Sequence, residues 1–277
     1  DWSKIAAASI HVLAIKTDGT LWAWGQQSGA NYRGIVGDGT IINRSGPVQI
    51  GALTTWSAIA CSNGASAGIR TDGKLFTWGD GLHGANGRGS VVDISSPVQV
   101  GSLTDWSKIS ASNHGFRAVK TDGTLWVWGR NYVGQLGIGT VVDTSSPVQV
   151  GSLTDWSHAG QSSNASNVML IKTDGTLWGV GSNSEGWLGD GTVVFRSSPV
   201  QIGTLKHWHS VSTTGLNTVA VQTNGTLWSW GSDYAGKRGA GTNEVAISSP
   251  VQVGSLTTWA ETFAMSQALG AIKGSAP

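Results

Sequence analysis

Residues 17–25 read Thr17-Asp18-Gly19-Thr20-Leu21-Trp22-Ala23-Trp24-Gly25. The stretch returns four more times, with its turn pair at Asp72-Gly73, Asp122-Gly123, Asp174-Gly175 and Asn224-Gly225. Asp-Gly between two short apolar runs is the strongest short hairpin signal, and it predicts a type I′ turn with φ > 0 at both central residues. A second series keeps the same step: Trp2, Trp56, Trp106, Trp156, Trp208 and Trp259. Both series repeat every 50 to 54 residues, the range of propeller blades rather than of helical solenoids.

Working outward in the third unit gives four short strands. These are A (WSKIS, from Trp106), B (AVK, before Thr121), C (LWVWG, from Leu125) and D (PVQVG, from Pro147). A polar run, Ala111-Ser112-Asn113-His114, joins A to B, a long Gly- and Asn-rich loop joins C to D, and GSLTD leads to the next Trp. Pro147 is expected to open strand D at a sheet edge, where a missing N–H is tolerated. A lone sheet this rich in Trp, Val and Ile cannot bury both faces, whereas successive sheets packed around an axis can. The expected fold is therefore an all-β propeller of four-stranded antiparallel blades in one domain, 1–277. Its units fall at about 2–55, 56–105, 106–155, 156–207 and 208–258, with a half unit at 259–273. The pairs Trp22/Trp24, Trp126/Trp128 and Trp228/Trp230 alternate with period two, so each pair shares a sheet face. They read as filling between blades, each ring contributing roughly 4–6 kcal/mol at most. A sugar-stacking platform is the competing reading of the same row.

Composition narrows the classes. Lys and Arg total 17 against 16 acidic residues, so no global field draws nucleic acid or an anionic membrane. The single cysteine, Cys61, excludes an internal disulfide and a cysteine-rich metal site. No apolar stretch approaches 18 residues, which argues against a transmembrane helix and membrane insertion. A chain that starts at Asp1 in mid-repeat, with no signal peptide or initiator Met, is expected to be a processed or truncated product.

At WGRNYVGQLGIGT in the third unit, WLGDGT after SNSEG in the fourth, and AIKTDGTLWAWG in the first, the chain resembles the regulator of chromosome condensation repeat family. The resemblance covers essentially the whole chain. It implies the propeller fold but no single activity, since the family spans nucleotide-exchange factors, enzyme inhibitors and many bacterial and phage proteins. The family often places a His at the start of strand B, and the matching positions here are His11, Ala65, Gly115, Asn167, Asn217 and Ala268. One His in six does not make a functional ring. No long insertion matches the wedge of the exchange factors. VVD-x-SSPVQVGSLTDWS occurs at Val91 and again at Val141 with one difference, Ile94 against Thr144, as recent duplication would leave it. Such regularity resembles propeller segments of bacteria and their viruses.

Strands alternate in direction, so A–B and C–D loops share one face and B–C hairpins share the other with D–A connections. The hairpin face is monotonous. The loop face varies, with 22 positions from Gly25 to Pro47 against 18 in the next three units and 19 in the fifth. Variation on one face of a rigid scaffold is what a binding surface shows. Its candidate anchors are Tyr32, Arg33, His83, Arg88, Arg130, Tyr132, Trp187, Tyr234, Lys237 and Arg238, since aromatics and Arg dominate interfaces. The bland reading is ordinary solvated loop, or loop core.

No catalytic set, cofactor motif or metal site can be assembled. His207 and His209 flank Trp208 without a third ligand beside them. The GDGT loops at Asp38 and Asp190 lack the alternating carboxylates of a calcium loop, and an Asx turn explains them. GANGRG, Gly84 to Gly89, has no strand-to-helix context for phosphate.

Five complete units and an A–B remnant leave ring closure open. Some propellers of the family, the β-lactamase inhibitor type among them, close by joining N-terminal C and D strands to C-terminal A and B strands, which residues before Asp1 would have to supply. A six-sector ring with one thin blade, five blades with A–B appended, and completion by another chain are the alternatives. An unpaired strand edge invites the last, and with it self-assembly. The expected function is a non-enzymatic structural and recognition module, extracellular or virion-associated or else cytoplasmic, binding protein or glycan through the loop face. An enzyme inhibitor presenting aromatic loops and a lectin with one site per blade are the alternatives.

Overall fold

Each repeat folds as an antiparallel meander in chain order, A pairing with B, B with C and C with D. The computed structural model describes residues 1–29, 33–162, 166–233, 236, 239, 246–264 and 269–274. Repeat 1 holds β1 (Trp2–Ala7), β2 (His11–Lys16), β3 (Leu21–Gly25) and β4 (Arg44–Gln49). Repeat 2 holds β5 (Trp56–Cys61), β6 (Ala65–Arg70), β7 (Leu75–Gly79) and β8 (Ile94–Gln99); repeat 3 holds β9 (Trp106–Ser112), β10 (Gly115–Lys120), β11 (Leu125–Gly129) and β12 (Thr144–Gln149). Repeat 4 holds β13 (Trp156–Ala159), β14 (Gln161–Ser162), β15 (Asn167–Lys172), β16 (Leu177–Gly181) and β17 (Arg196–Gln201). Repeat 5 holds β18 (Trp208–Thr213), β19 (Asn217–Gln222), β20 (Leu227–Gly231) and β21 (Ile247–Gln252), and β22 (Trp259–Ala264) and β23 (Leu269–Lys273) form a two-stranded sheet. The short β14, in the longer A–B loop of repeat 4, leaves its own sheet and pairs in parallel with β18. Two compact units result: Asp1–Arg130 with Asp143–Thr154, and Asn131–Val142 with Asp155–Pro277.

The B–C hairpins correct one expectation. Lys16 N donates to Thr20 O and Gly19 N to Lys16 O, a three-residue loop in which the turn is followed by a left-handed glycine. Gly19 has φ +79°, while none of the turn Asp or Asn residues has positive φ, so the turn is not type I′. The Asp side chain supplies the reason. Asp18 Oδ1 accepts from Thr20 N at 2.9 Å and Thr20 Oγ1 at 2.6 Å, and Thr20 Oγ1 accepts from Trp22 Nε1 at 2.9 Å. This Asx turn satisfies the loop from ordinary backbone geometry. The relay recurs at Asp122–Thr124–Trp126, Asp174–Thr176–Trp178 and Asn224–Thr226–Trp228. Glycine is required for a second reason: a Cβ on Gly19 would lie 2.1 Å from Thr54 O in the connection to the next repeat.

Strand D is the second correction. It starts three residues before its proline, and Pro147 lies inside β12 rather than opening it. The register there slips between Val127/Val148 and Gly129/Thr144, so Pro147 falls in a bulge of the edge strand, where no ladder bond needs its N–H.

The strand-A tryptophans tie consecutive sheets together. In the first unit Trp56 is 4% exposed, packed in one cluster with Leu21 and Ile50 of repeat 1 and edge-on to Phe76 and Trp78 of its own repeat. In the second unit Trp208 packs likewise with Leu177 and Ile202, and against Trp228 and Trp230. The lysine ending strand B is buried between two indoles. Lys120 Nζ lies 5.0 Å from the Trp106 ring and 4.4 Å from the Trp126 ring, and 3.3 Å from the Asp105 carboxylate. Lys172 repeats this with Trp156, Trp178 and Asp155. Desolvated cation–π contact plus an ion pair explains a buried ammonium.

Candidate recognition surface

The long C–D loops have a polar skeleton. Two residues beyond strand C a fully buried amide holds the loop shut: Asn131 Nδ2 donates to Thr140 O and Val142 O, and its Oδ1 accepts from Leu136 N. Asn183 does the same toward Thr192 O, Val194 O and Leu188 N, and Gln27 toward Ile42 O and Val36 N. Repeat 2 has Gly81 at that place, and Asn86 takes over by donating to Gly79 O and Val92 O. The GDGT segments are Asx turns locked by an ion pair unrecognised in the sequence. Asp38 accepts from Thr40 and pairs with Arg44, as Asp190 does with Thr192 and Arg196. Burial alone would raise the Asp38 carboxyl, but bonds from Gln27, Thr40 and Arg44 outweigh it and hold it below the ordinary range.

Each loop is then stapled to the following sheet. Gly39 N donates to Ser95 O, Gly89 N to Ser145 O, Gly139 N to Ser197 O and Gly191 N to Ser248 O. The second strand-C tryptophan donates back: Trp78 Nε1 to Ile35 O, Trp128 Nε1 to Ala85 O and Trp230 Nε1 to Trp187 O. Gly87 has φ +62°, and a Cβ there would meet Trp128 Nε1 at 2.8 Å. The glycines of 84–89 serve this staple.

On this skeleton the predicted residues separate into groups. Arg33 and Arg88 are exposed. Tyr32, Tyr234, Lys237 and Arg238 lie outside the described residues. Trp187 is half-buried at the staple position, where Ile35, Ala85 and Gln135 are all buried, and its carbonyl accepts from Trp230 and Thr218. Tyr132 is half exposed, its hydroxyl 2.5 Å from Ser166 Oγ in the A–B loop of repeat 4.

His83 and Arg130 belong to a polar cluster in the first unit. His83, left-handed at φ 58° in the short 3₁₀ turn Leu82–Gly84, sets Nδ1 at 2.6 Å from Asp143 Oδ2. Its ring stands edge-on to His114, 5.6 Å between centroids. His114 ends the A–B turn of repeat 3 and is also left-handed. Burial, then the charges of His83 and Arg130, depress the His114 imidazole to about 4. Asp80 lies behind, its carboxyl raised by burial and by neighbouring Asp93. No local pattern links Asp143 and His114 to His83, because they are 60 and 31 positions away in chain order and only the stacking of consecutive repeats unites them.

Apolar doublets were the signal missed. Ile41–Ile42, Val91–Val92, Val141–Val142 and Val193–Val194 are 52–68% exposed, each just before strand D. Two adjacent exposed residues break the strand alternation that would bury one of them, and their fixed offset was readable. His11, the one family-type His, is buried in strand β2, its Nε2 2.9 Å from Ser66 Oγ. His207 and His209 are both exposed. Among the described residues no three metal-ligating groups converge, and no helix is long and apolar enough to cross a membrane.

Four-stranded meanders of one repeated sequence, stapled sheet to sheet by loop and tryptophan, define a β-propeller. Comparison places it among known ones. Residues 72–116 and 122–164 match the regulator of chromosome condensation (RCC1) repeat, and those two segments are RCC1-type repeats. It is 31% identical over 84 residues to the human probable E3 ubiquitin-protein ligase HERC6, a match covering 30% of this chain and 8% of that protein. The structure of Kap60 bound to yeast RCC1 (Prp20) superposes with TM-score 0.84 at 20% identity, covering 98% of this chain and 66% of that one. Prp20p of Saccharomyces cerevisiae gives 0.78 at 19% identity over 93% and 64%, and human WBSCR16 gives 0.77 at 19% over 92% and 67%. At these identities the structural likeness shows the fold. The chain spans about two thirds of the length of these structures and a small fraction of HERC6.

Proposed function

We propose that this chain is a non-enzymatic protein-binding propeller that recognises its partner through the A–B and C–D loops. One observation carries the reading: corresponding loops share a buried, stapled skeleton yet present different outward groups. Arg33 stands in repeat 1, the His83–Asp143 pair joins repeats 2 and 3, and Tyr132 with Ser166 joins repeats 3 and 4. Exposed aliphatic doublets beside them add apolar area. Rigid loops lose little entropy on binding, and a mixture of aromatic, cationic and aliphatic groups is interface-like. Likeness to yeast RCC1 in complex with Kap60, and to Prp20p, described as binding Gsp1p and histones, supports a protein partner over a glycan.

The test is affinity capture from the source proteome, with identified partners then titrated against purified variants. Combined Arg33→Ala, His83→Ala, Arg88→Ala and Tyr132→Ala should abolish binding. Leu103→Ser with Leu153→Ser, on the hairpin face, should leave it unchanged. Binding that follows the leucines would overturn the assignment, and saturable glycan binding without a protein partner would favour a lectin.

A further inference from the structure

Four of the five B–C hairpins turn on Asp-Gly, and the fifth turns on Asn224-Gly225-Thr226. The chain holds two other Asn-Gly steps, Asn63-Gly64 and Asn86-Gly87. Such a step is chemically labile, because the glycine nitrogen, unshielded by a Cβ, can attack the side-chain amide carbon and close a cyclic imide. The fold treats the three steps differently. Asn86 is fully buried, its Nδ2 donates to Gly79 O and Val92 O, and its Oδ1 meets no donor. Asn63 is half-buried, and the main-chain N–H two residues on, at Ala65, donates instead to Ser62 Oγ. Asn224 is exposed.

At the fifth hairpin, Asn224 Oδ1 accepts from Thr226 N at 3.1 Å and from Thr226 Oγ1 at 2.8 Å. The main-chain N–H can only donate, which fixes the accepting atom as oxygen. Thr226 Oγ1 accepts from Trp228 Nε1, so its own proton is left for this bond; Gln222 Oε1, the other acceptor in reach, is farther away at 3.2 Å. The same pair of donors acts differently in the Asp hairpins. There the Thr hydroxyl first, then the Thr N–H, holds the carboxyls of Asp18, Asp122 and Asp174 below their ordinary range. An ionised carboxylate is a poor electrophile. On a neutral amide the two donors polarise the carbonyl and face the oxygen that turns anionic when its carbon is attacked, which is the arrangement of an oxyanion hole. Gly225 N, the attacking atom, is next along the chain and donates to Gln222 O at 2.9 Å, a bond given up in the attack.

We infer that Asn224-Gly225 is a self-modifying site, at which the folded hairpin promotes loss of the side-chain amide with water as the co-reactant. Gly225 N gives its proton to solvent base and bonds to Cγ of Asn224, while Nδ2 takes up a proton and leaves as ammonia. Water then opens the imide. Attack at Cγ breaks the new Cγ–N bond and leaves aspartate, whereas attack at the main-chain carbonyl breaks the old C–N bond and leaves isoaspartate. The Thr226 donors face the Cγ oxygen, so the fold favours aspartate, and the product turn matches those of Asp18, Asp122 and Asp174. The hairpin face gains a carboxylate, and the formal net charge falls by one from +1. The site is independent of the loop surface proposed above.

The experiment incubates the full chain in mildly alkaline water enriched in heavy oxygen and maps its peptides by mass spectrometry, beside a synthetic peptide of residues 217–231. The expected result is label at position 224 and none at Asn63 or Asn86 while the protein stays folded. The ratio of aspartate to isoaspartate should exceed that of the peptide. Thr226→Val, which removes the hydroxyl donor, should slow labelling about fivefold, the contribution of one hydrogen bond, whereas Thr226→Ser keeps the rate. Asn224→Asp should retain the hairpin, as exchange protection of Leu227–Gly231 would show. The proposal is overturned by no label at 224 over a time in which the peptide reacts, by equal labelling of all three steps, or by a product ratio equal to the peptide's. An unslowed Thr226→Val or loss of the hairpin in Asn224→Asp would overturn it as well.

Discussion

His11 shows how one residue links repeats and sets a pH limit. Ser66 Oγ donates to Ile35 O at 2.8 Å, so it accepts from His11, which fixes a neutral imidazole protonated at Nε2. Burial lowers the His11 pKa from 6.5 to about 4. The unfolded chain takes up the proton first, so the stability from a neutral His11 is complete above pH 6.5 and lost as pH falls toward 4. That loss is roughly 3 kcal/mol, and His114 acts in the same direction. His11→Gln, which keeps a donor for Ser66, should remove the His11 share, as urea titrations at pH 7, 5.5 and 4.5 would show; an unchanged acid slope would contradict it. At the hairpins, Asp122→Ala deletes the bonds to Thr124 N and Oγ1 and should cost about 1 kcal/mol.

At the scale of the element, the loop staple explains why two similar glycines differ. Gly87 and Gly101 both have left-handed backbone, at φ +62° and +59°, yet nothing lies within 4 Å of a Cβ on Gly101. Gly101→Ala should cost only the left-handed penalty, roughly 1–2 kcal/mol. Gly87→Ala must also displace the Trp128 indole and so should cost at least twice as much by denaturant unfolding; equal costs would dismiss the staple. Sequence reading located the four strands of each repeat, though not the short β14, and the Asx nature of GDGT, because both are local. It mistook the hairpin turn and the place of Pro147, because side-chain capping and a bulge decide those. Trp187, a candidate anchor by its uniqueness among the repeats, stands where the loop meets the next sheet.

Across the whole molecule, burial ranks the strands. β10, β15 and β19 are buried at every residue, while in β1 Trp2 is 44% and Ile5 65% exposed, where Trp56 and Trp106 are 4%. Hydrogen exchange should be slowest in the first three and fast in β1 and β23, since local stability follows packing; uniform protection would contradict this ranking. What the sequence by itself determined is the repeat: its length, its four strands and the face on which loops vary, all of them consequences of local pattern and periodicity. Only tertiary structure decided which outward groups meet. His83, Asp143 and His114 come together because one repeat's loop lies on the next repeat's sheet. That meeting depends on contacts between consecutive repeats, and no local pattern encodes them.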